Sequence, residues 1–194
     1  FKTMLFGLCM YHALILDRRK YGPLGWNIPY GFRESDLRVC IQQLHDFLDM
    51  FEEIPFKVIH FLIYDINYGG RVTDNIDRRT SKVILDDFIC PQIISNPKYS
   101  FSESGKYHTI APSNKDGYIE YIRSLELVPQ PEVFGLHENA DITFATEESN
   151  QMMSIIASIL PRTSGGLGKT KDEIVQETAR NIVNRCPQII NIEA

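Results

Sequence analysis

Arg71 stands in a stretch of sequence that could recognise a negatively charged ligand. It follows Gly69 and Gly70, and it precedes Asp74 and Asp77 at the start of a helical pattern. A guanidinium group beside a helix N-terminus suits a phosphate or a carboxylate, because its five N–H donors form a rigid fork. A local ion pair with Asp74 or Asp77 is the simpler interpretation of Arg71, since a short motif alone is weak support for a ligand.

The backbone at residues 67–74, hereafter the corner, must end one helical pattern and begin another. Gly69 and Gly70 allow a positive φ angle or a close approach to a neighbouring segment, because neither carries a Cβ atom. Thr73 or Asp74 can cap the following helix by accepting a hydrogen bond from its free amide groups. The candidate site therefore consists of Gly69, Gly70, Arg71, Asp74 and Asp77.

A second stretch, residues 163–170, resembles a phosphate-binding loop. Its sequence Thr-Ser-Gly-Gly-Leu-Gly-Lys-Thr ends like the GxxxxGKS/T pattern, but Thr163 replaces the first glycine. The upstream residues have helical periodicity, and only 24 residues follow Thr170, too few for the rest of a nucleotide-binding sheet. A flexible Gly/Ser connector and a capping box at residues 170–173 explain the stretch better, so we expect no cofactor here.

The histidines and cysteines lack the spacing of a metal site. His137-Glu138 begins like the helix of a zinc protease, but Asp141 stands where the second histidine ligand is required. His12 lies on an apolar helix face with no histidine or carboxylate at i+4, which favours a hydrogen-bonded core residue. The four cysteines lie far apart without a CxxC pair, which favours reduced core thiols. We expect no metal.

The composition is that of a folded, soluble protein. The chain has 194 residues, of which 43% are apolar and 23% are charged. A net charge of −5 and the lack of a long basic run argue against nucleic acid as a partner. No uncharged apolar run reaches the ~18 residues of a membrane span, so we expect no membrane partner. The chain starts at Phe1 within an apolar pattern, which suggests a piece of a longer protein.

Helical periodicity dominates the chain and sets where the candidate residues stand. Apolar residues recur at spacings of three and four, which predicts helices at about residues 4–20, 34–51, 55–64, 74–90, 117–125, 146–160 and from 170. Residues 21–32, hereafter the strap, combine two prolines and three glycines with four aromatic residues. This mixture predicts an ordered path that is pinned against the domain.

Residues 91–117 contain too many prolines and glycines for a long helix, and we expect mainly ordered loop there. Residues 106–110 are the only possible short strand. The predicted fold class is mainly α, a helical bundle with long Gly/Pro-rich ordered loops and at most one short strand pair.

Four blocks of sequence together resemble the dynein heavy chains. They are Phe-Gly-Leu-Cys at residues 6–9, Gly-Pro-Leu-Gly-Trp-Asn-Ile-Pro-Tyr at 22–30, Tyr-Gly-Gly-Arg-Val-Thr-Asp at 68–74, and Pro-Glu-Val-Phe-Gly-Leu-His-Glu-Asn-Ala-Asp-Ile-Thr at 131–143. Their order and spacing make the resemblance specific, and it covers essentially the whole chain. The blocks around residues 27–30 and 135–141 resemble axonemal chains, and the short spacing between Phe51 and Pro55 favours an inner-arm chain.

The resemblance implies a domain organisation and a helical bundle of the AAA+ lid type. Residues 1–145 would be the helical lid subdomain of the sixth and last AAA+ module of the motor ring. Residues 146–194 would begin the C-terminal region, as two helices joined by the Gly/Ser connector.

The resemblance also implies ATP-driven movement along microtubules, in the axoneme of a cilium or flagellum, within the cytoskeleton on the cytoplasmic side. ATP and Mg²⁺ would bind in other modules, so this fragment would be a non-catalytic lid, not an enzyme, that relays their rearrangements. Its partners would be the neighbouring AAA+ modules and the C-terminal domain of the same chain. Microtubules and other dynein subunits would be reached through the full motor.

An AAA+ lid often supplies a sensor arginine in a short glycine-containing motif, and Gly69-Gly70-Arg71 resembles that motif. The sixth module of this family is regarded as degenerate in nucleotide binding. The resemblance therefore implies that Arg71 is an ion-pair or ring-interface residue, with Asp74, Asp77 or a neighbouring subdomain as its partner.

Two other functions stay open at this point. The first is a nucleotide-binding module that uses Lys169 and Thr170 of the 163–170 loop. The second is a docking module for another axonemal subunit, for which the aromatic strap would supply the surface.

Overall fold

The computed structural model describes residues 1–159 and 171–185, and the regular structure in these residues is helical. The α-helices are α1 (Lys2–Asp17), α2 (Glu34–Met50), α3 (Phe56–His60), α4 (Asn75–Phe88), α5 (Gln92–Ser95), α6 (Lys115–Ser124), α7 (Ala140–Ile159) and α8 (Lys171–Arg185). Within the described residues, β pairing is limited to an isolated antiparallel bridge between Ser100 and His108. The prediction of a mainly α fold with at most one short strand pair is therefore confirmed.

The helix ends differ from the predicted ones where the backbone changes helix type. α1 stops at Asp17, and a 3₁₀ turn over Arg18–Leu24 continues into the strap. α3 is followed by a π-helix over Phe61–Tyr68 and a 3₁₀ turn over Gly69–Arg71. α7 begins at Ala140 rather than at about residue 146, because no glycine or proline interrupts the chain between residues 136 and 160.

The core is built around α1, which packs against α2, α4 and α5. Its buried side chains include Met4, Leu8, Tyr11 and Ile15. α5 is a single helical turn inside the predicted loop at 91–117, and its Ile93 is fully buried. Burial of apolar surface around one central helix stabilises the elements that carry the candidate site.

The strap is pinned to this core by its aromatic residues, as predicted. Tyr21, Trp26, Tyr30 and Phe32 are all between 2% and 5% exposed. The Trp26 ring contacts those of Tyr30 and Phe32 edge to face, with centroids 5.9 Å apart in each pair. Its indole Nε1 donates to the Ile15 carbonyl oxygen at 3.0 Å, so the polar edge of Trp26 is satisfied as well.

The Asp77 carboxylate of α4 accepts hydrogen bonds from the backbone of the strap. Asp77 is 4% exposed. Its side chain accepts hydrogen bonds from the amides of Asn27 and Ile28, at 3.0 and 3.3 Å, and from the Tyr30 hydroxyl at 2.8 Å. Three donors to one buried carboxylate offset the loss of its hydration.

The π-helix brings two buried side chains that are five residues apart towards the same face of the helix. Ile59, Ile63 and Tyr68 are all buried, although Ile63 and Tyr68 are five residues apart. In an α-helix, five residues rotate through about 500°, which would place Tyr68 roughly 140° from the core face. The wider i→i+5 turn returns Tyr68 towards that face. It also places Gly69 over the Tyr64 carbonyl group, where there is no room for a side chain.

Contacts divide the chain into two compact units, Phe1–Ser149 and a second unit that begins at Asn150. The division falls within α7, and the predicted domain boundary between residues 145 and 146 stays a prediction. The second unit has exposed apolar residues on α7 and α8, namely Met152, Ile155, Ile156, Ile159, Ile174, Val175, Ile182 and Val183. The predicted Gly/Ser connector at residues 163–170 lies outside the described residues.

The cysteines of the described ranges are free thiols, as predicted. Cys40 and Cys90 are buried, and Cys9 is partly buried. Burial raises the pKa of the Cys40 thiol to about 12, although the Asn67 side-chain amide donates to its sulfur. Buried thiols of this kind are unreactive. Cys186 lies outside the described residues.

Gly69→Ala should destabilise the fold, whereas Gly70→Ala should not. A Cβ atom at residue 69 would lie 2.1 Å from the Tyr64 carbonyl oxygen, so the π-helix would have to shift, and overpacking costs about 1–3 kcal/mol in the free energy of unfolding. A Cβ atom at residue 70 meets no atom within 4 Å, so we expect a change within about 0.5 kcal/mol. Urea unfolding followed by circular dichroism measures both, and equal stabilities would contradict this account of the π-helix.

Asp77→Asn should lower the free energy of unfolding by about 2–3 kcal/mol, because an amide cannot accept from all the donors that Asp77 now satisfies. Asp46→Asn is the matched control, since exposed Asp46 accepts only from Gln42 of its own helix, at 2.8 Å, among the bonds described, and an asparagine oxygen can still accept. Urea unfolding of the two variants is the measurement. A loss no larger for Asp77→Asn than for Asp46→Asn would show that the strap does not depend on this carboxylate.

Candidate functional site

The predicted corner is an ordered turn between two helices. The 3₁₀ turn ends at Arg71, Val72 is buried, and Asp74 is the N-cap of α4. The Asp74 Oδ1 atom accepts from the amides of Ile76 and Asp77, at 2.8 and 2.9 Å. These bonds, led by that from Asp77, lower the pKa of the Asp74 carboxyl group. The prediction that Thr73 or Asp74 caps this helix is confirmed for Asp74.

Arg71 pairs with Asp36, which is neither of the two local partners that the sequence suggested. Its Nε and Nη2 atoms donate to the two Asp36 carboxylate oxygens, at 3.0 and 2.9 Å. The prediction of Asp74 or Asp77 as the local partner is wrong, because Asp74 caps α4 and Asp77 binds the strap. The five predicted site residues thus lie between the 3₁₀ turn and the first turn of α4, but the carboxylate that binds Arg71 comes from α2.

Asp36 ties the start of α2 to the corner. Besides Arg71, its Oδ2 atom accepts from the Arg33 amide at 2.9 Å, which caps the first turn of α2. Burial alone would raise the pKa of Asp36, but the hydrogen bonds from Arg71 and the Arg33 amide hold it below its ordinary value. The bond to Asp36 in turn raises the pKa of Arg71. The pair is therefore ionised at neutral pH.

The Arg71 side chain is 40% exposed, while that of Asp36 is 10% exposed. One edge of the guanidinium group thus binds a mostly buried carboxylate, and the rest of the side chain borders solvent. A bidentate pair of this geometry fixes orientation as well as charge. Asp36 takes two of the five guanidinium N–H groups, one on Nε and one on Nη2, so a further anion could use only the others.

A buried histidine supports the corner from the core. The His12 Nδ1 atom and the Tyr68 hydroxyl lie 2.8 Å apart, and both side chains are buried. Burial lowers the pKa of His12, while the charge of Asp36 opposes that shift. The prediction of a hydrogen-bonded core histidine is confirmed.

Sequence analysis did not identify the role of Arg18, which stands among the residues Asp17-Arg18-Arg19-Lys20 at the end of the first predicted helix, 4–20. Arg18 is buried, and its Nε atom donates to the Gly25 carbonyl oxygen at 2.7 Å. Its Nη1 atom donates to the Phe134 carbonyl oxygen, and its guanidinium group lies 5.5 Å from the Trp26 ring centroid. Burial lowers the pKa of Arg18 to about 10, and the charge of Asp77 opposes that effect. The available signal was its position directly before a glycine-rich strap, where backbone carbonyls need donors.

The other motifs that could do chemistry form no site in the described residues. The His137 Nδ1 atom accepts from the Asn139 amide at 3.2 Å, and Asp141 accepts from the Tyr21 hydroxyl at 3.4 Å. Across residues 1–159 and 171–185, no group of three or more His, Cys, Asp or Glu side chains could hold a metal ion. The 163–170 loop, with Lys169, lies outside the described residues.

No helix within the described ranges is long and apolar enough to cross a lipid bilayer.

Comparison with known proteins identifies the family. The family model described as "Dynein heavy chain AAA lid domain" matches residues 1–140. The chain is 47% identical to human dynein axonemal heavy chain 1 over 194 residues, which is 100% of this chain and 4% of that protein. It is 45% identical to mouse dynein axonemal heavy chain 3 over 192 residues, 99% of this chain and 5% of that protein. It is 44% identical to rat dynein axonemal heavy chain 12 over 198 residues, 100% of this chain and 6% of that protein.

The chain spans only 4% to 6% of the length of these curated relatives. Its resemblance to axonemal dynein heavy chains is nevertheless confirmed along its whole length, whereas the inner-arm assignment and the place in the sixth module stay predictions. Since the family model covers residues 1–140 of 194, the chain belongs to the dynein heavy chain AAA lid domain family.

Proposed function

We propose that this chain is the non-catalytic lid of the sixth AAA+ module of an axonemal dynein heavy chain, joined to the start of its C-terminal region. In this role the lid moves as one body and passes on rearrangements that ATP turnover causes in other modules of the motor ring. Rigid-body movement of packed subdomains is a common way in which local changes are transmitted.

The observation that carries this proposal is the bidentate ion pair between Arg71 and Asp36. Arg71 occupies the motif that resembles a sensor arginine, yet its Nε and one Nη2 N–H group donate to a carboxylate of the same lid. An arginine that reads a nucleotide must offer its donors to phosphate oxygens. An arginine bound to Asp36 instead joins the corner to α2 and makes the two elements move together.

Buried charges join the remaining elements of the lid body. Asp77 links α4 to the strap, and Arg18 links the end of α1 to the strap and to the turn at Phe134. Breaking such a buried contact leaves an unsatisfied charge, which is costly. These contacts resist shear between the elements and suit a lid that transmits displacement.

The partners and location follow from the family. The lid would contact neighbouring AAA+ modules and the C-terminal domain of its own chain, and it would act on microtubules and other dynein subunits through the full motor. ATP and Mg²⁺ would bind in other modules, with no cofactor in this fragment. The names of the relatives place them in the axoneme, and we propose the same cytoskeletal location here, without nucleic acid or membrane as a partner.

Neither alternative function gains a specific observation. The nucleotide-binding module depends on the 163–170 loop, which lies outside the described residues. The docking module depends on the aromatic residues of the strap, but Tyr21, Trp26, Tyr30 and Phe32 are buried within the lid and have little surface to offer a partner.

The motor itself provides the direct test of the ion pair. In a full-length heavy chain, Arg71→Ala and Asp36→Asn should each lower microtubule-stimulated ATPase activity and gliding speed by about two- to fivefold, a usual size for loss of coupling. The double variant should be no worse than either single variant, because both remove the same contact. Arg38→Ala is the control, since Arg38 and its partner Glu34 are both highly exposed.

A different pattern would contradict the ion-pair role. If Arg71→Ala impaired the motor while Asp36→Asn left it unchanged, Arg71 would act on a ligand or on another module. If neither variant changed ATPase activity or gliding, the corner would have no part in transmission.

The stability contributed by Asp36 should depend on pH. Since its pKa is lowered in the folded chain, its contribution is fully present above the unfolded value of about 3.9 and is lost as the pH falls through the folded value. The difference in free energy of unfolding between the wild type and Asp36→Asn should therefore be largest near pH 7 and should shrink below about pH 4. Urea unfolding of both chains across this range measures it, and a difference that is constant or grows on acidification would be inconsistent with the ionised pair.

A further inference from the structure

α7 is attached to the first unit by very few side chains. Within residues 140–149, Ala140 is buried and Phe144 is partly buried, while the other residues are exposed. The Tyr21 hydroxyl donates to Asp141 at 3.4 Å, a long and therefore weak hydrogen bond. The attachment of the first turns of α7 to the rest of the first unit thus depends on a small contact around Phe144.

An ammonium group lies at the centre of that contact. The Lys20 Nζ atom is 5.1 Å from the Tyr21 ring centroid, 4.9 Å from that of Phe134 and 5.4 Å from that of Phe144. Its Nζ atom also lies 2.8 Å from a carboxylate oxygen of Asp17, and the Lys20 side chain is only 16% exposed. The cation is thus enclosed by three rings and one carboxylate.

Each ring belongs to a different element of the lid. Tyr21 lies in the 3₁₀ turn that follows α1, Phe134 lies in the 3₁₀ turn over Pro131–Phe134, and Phe144 lies in α7. The Tyr21 ring contacts those of Phe134 and Phe144, with centroids 5.3 and 5.9 Å apart. A cation is attracted to the quadrupole of each ring, and the attraction grows when water is excluded.

We propose that Lys20 is a cation latch, which holds the first turns of α7 on the lid body through the rings of Tyr21, Phe134 and Phe144. Removal of the Lys20 charge should release only the first turns of α7, because the hydrogen bonds of Arg18 and Asp77 still join the other elements of the lid. Only the consequence of the latch in the motor rests on the proposed function. There, the latch would keep the first turns of α7 attached while the lid moves. The latch itself is a property of the lid body.

The ion pair between Lys20 and Asp17 does not explain this arrangement by itself. The Asp17 side chain is 48% exposed, and the two residues are three apart on a helical turn. Solvent screening of a half-exposed carboxylate weakens such a pair. The rings therefore account for the enclosure of the ammonium group, and Asp17→Asn should have a smaller effect than loss of the Lys20 charge.

Hydrogen exchange with mass spectrometry on a full-length heavy chain tests the latch. Lys20→Met keeps an unbranched side chain that is one atom shorter and removes its charge, and amide exchange in residues 140–149 should rise about threefold or more. Exchange in α2, Glu34–Met50, should stay unchanged. Lys82→Met is the matched control, because Lys82 is an exposed lysine of α4.

A second variant separates the latch from a general loss of packing. Phe144→Leu removes one ring at a partly buried position, so folding of the body is not at risk. If the cation acts through this ring, adding Lys20→Met to Phe144→Leu should raise exchange less than it does in the wild type. Full additivity of the two substitutions would overturn the proposed contact.

The remaining outcomes also decide the proposal. Unchanged exchange at residues 140–149 in Lys20→Met would overturn the latch, and so would an equal rise in α2. A rise confined to residues 140–149 would support it, even if the Arg71 and Asp36 variants left the motor unchanged and the proposed relay failed.

Discussion

The Asp77 carboxylate depends on the strap for its hydrogen bonds, because it is only 4% exposed. The strap leaves α1 through glycines and prolines, so its peptide groups cannot form the ladder of a regular helix. Asp77 accepts from the Asn27 and Ile28 amides and from the Tyr30 hydroxyl. Once the strap is fixed in this way, its aromatic rings close the core over α1, and α4 is held at the angle that sets the corner.

The acidic residues in and around the corner bind different partners. Asp74 caps α4, Asp77 binds the strap, and Asp36 caps α2 while it holds Arg71. Each carboxylate accepts from main-chain amides, so an exchange of partners would leave those amides without the bonds that they now make. Arg71 therefore pairs with a carboxylate whose own position is set by its hydrogen bond to the backbone at the start of α2.

Local signals in the sequence were sufficient for much of this arrangement. Apolar spacing predicted the helices, the aromatic strap was expected to be pinned, and the cap at Asp74 followed from residue type and position. The Arg71 partner could not be found in the same way, because Asp36 is 35 residues away and the contact depends on how α2 packs. The resemblance to dynein heavy chains supplied the family, which no spacing of residues could have indicated.

Two further features escaped prediction for different physical reasons. The π-helix over Phe61–Tyr68 places side chains five residues apart on one face, whereas helical periodicity is read at spacings of three and four. Arg18 stands at the end of the first predicted helix, where cations are common, yet it donates to the Gly25 and Phe134 carbonyl groups. In both cases tertiary packing overrode a local preference.

The proposed relay would use two kinds of contact, buried charges within the lid and a smaller contact at the first turns of α7. Arg18, Asp36 and Asp77 each connect elements that are distant in sequence, and all three are buried. α7 has no comparable buried charge among residues 140–149, and its first turns depend on the surfaces of Ala140 and Phe144. A displacement of the body would load this contact before the body deformed, because apolar and cation–π contacts at a partly exposed site are weaker than buried, fully bonded charges. In the proposed relay, the stiffness of the lid would come from the buried charges, and the weaker attachment of the first turns of α7 would come from apolar and cation–π contacts.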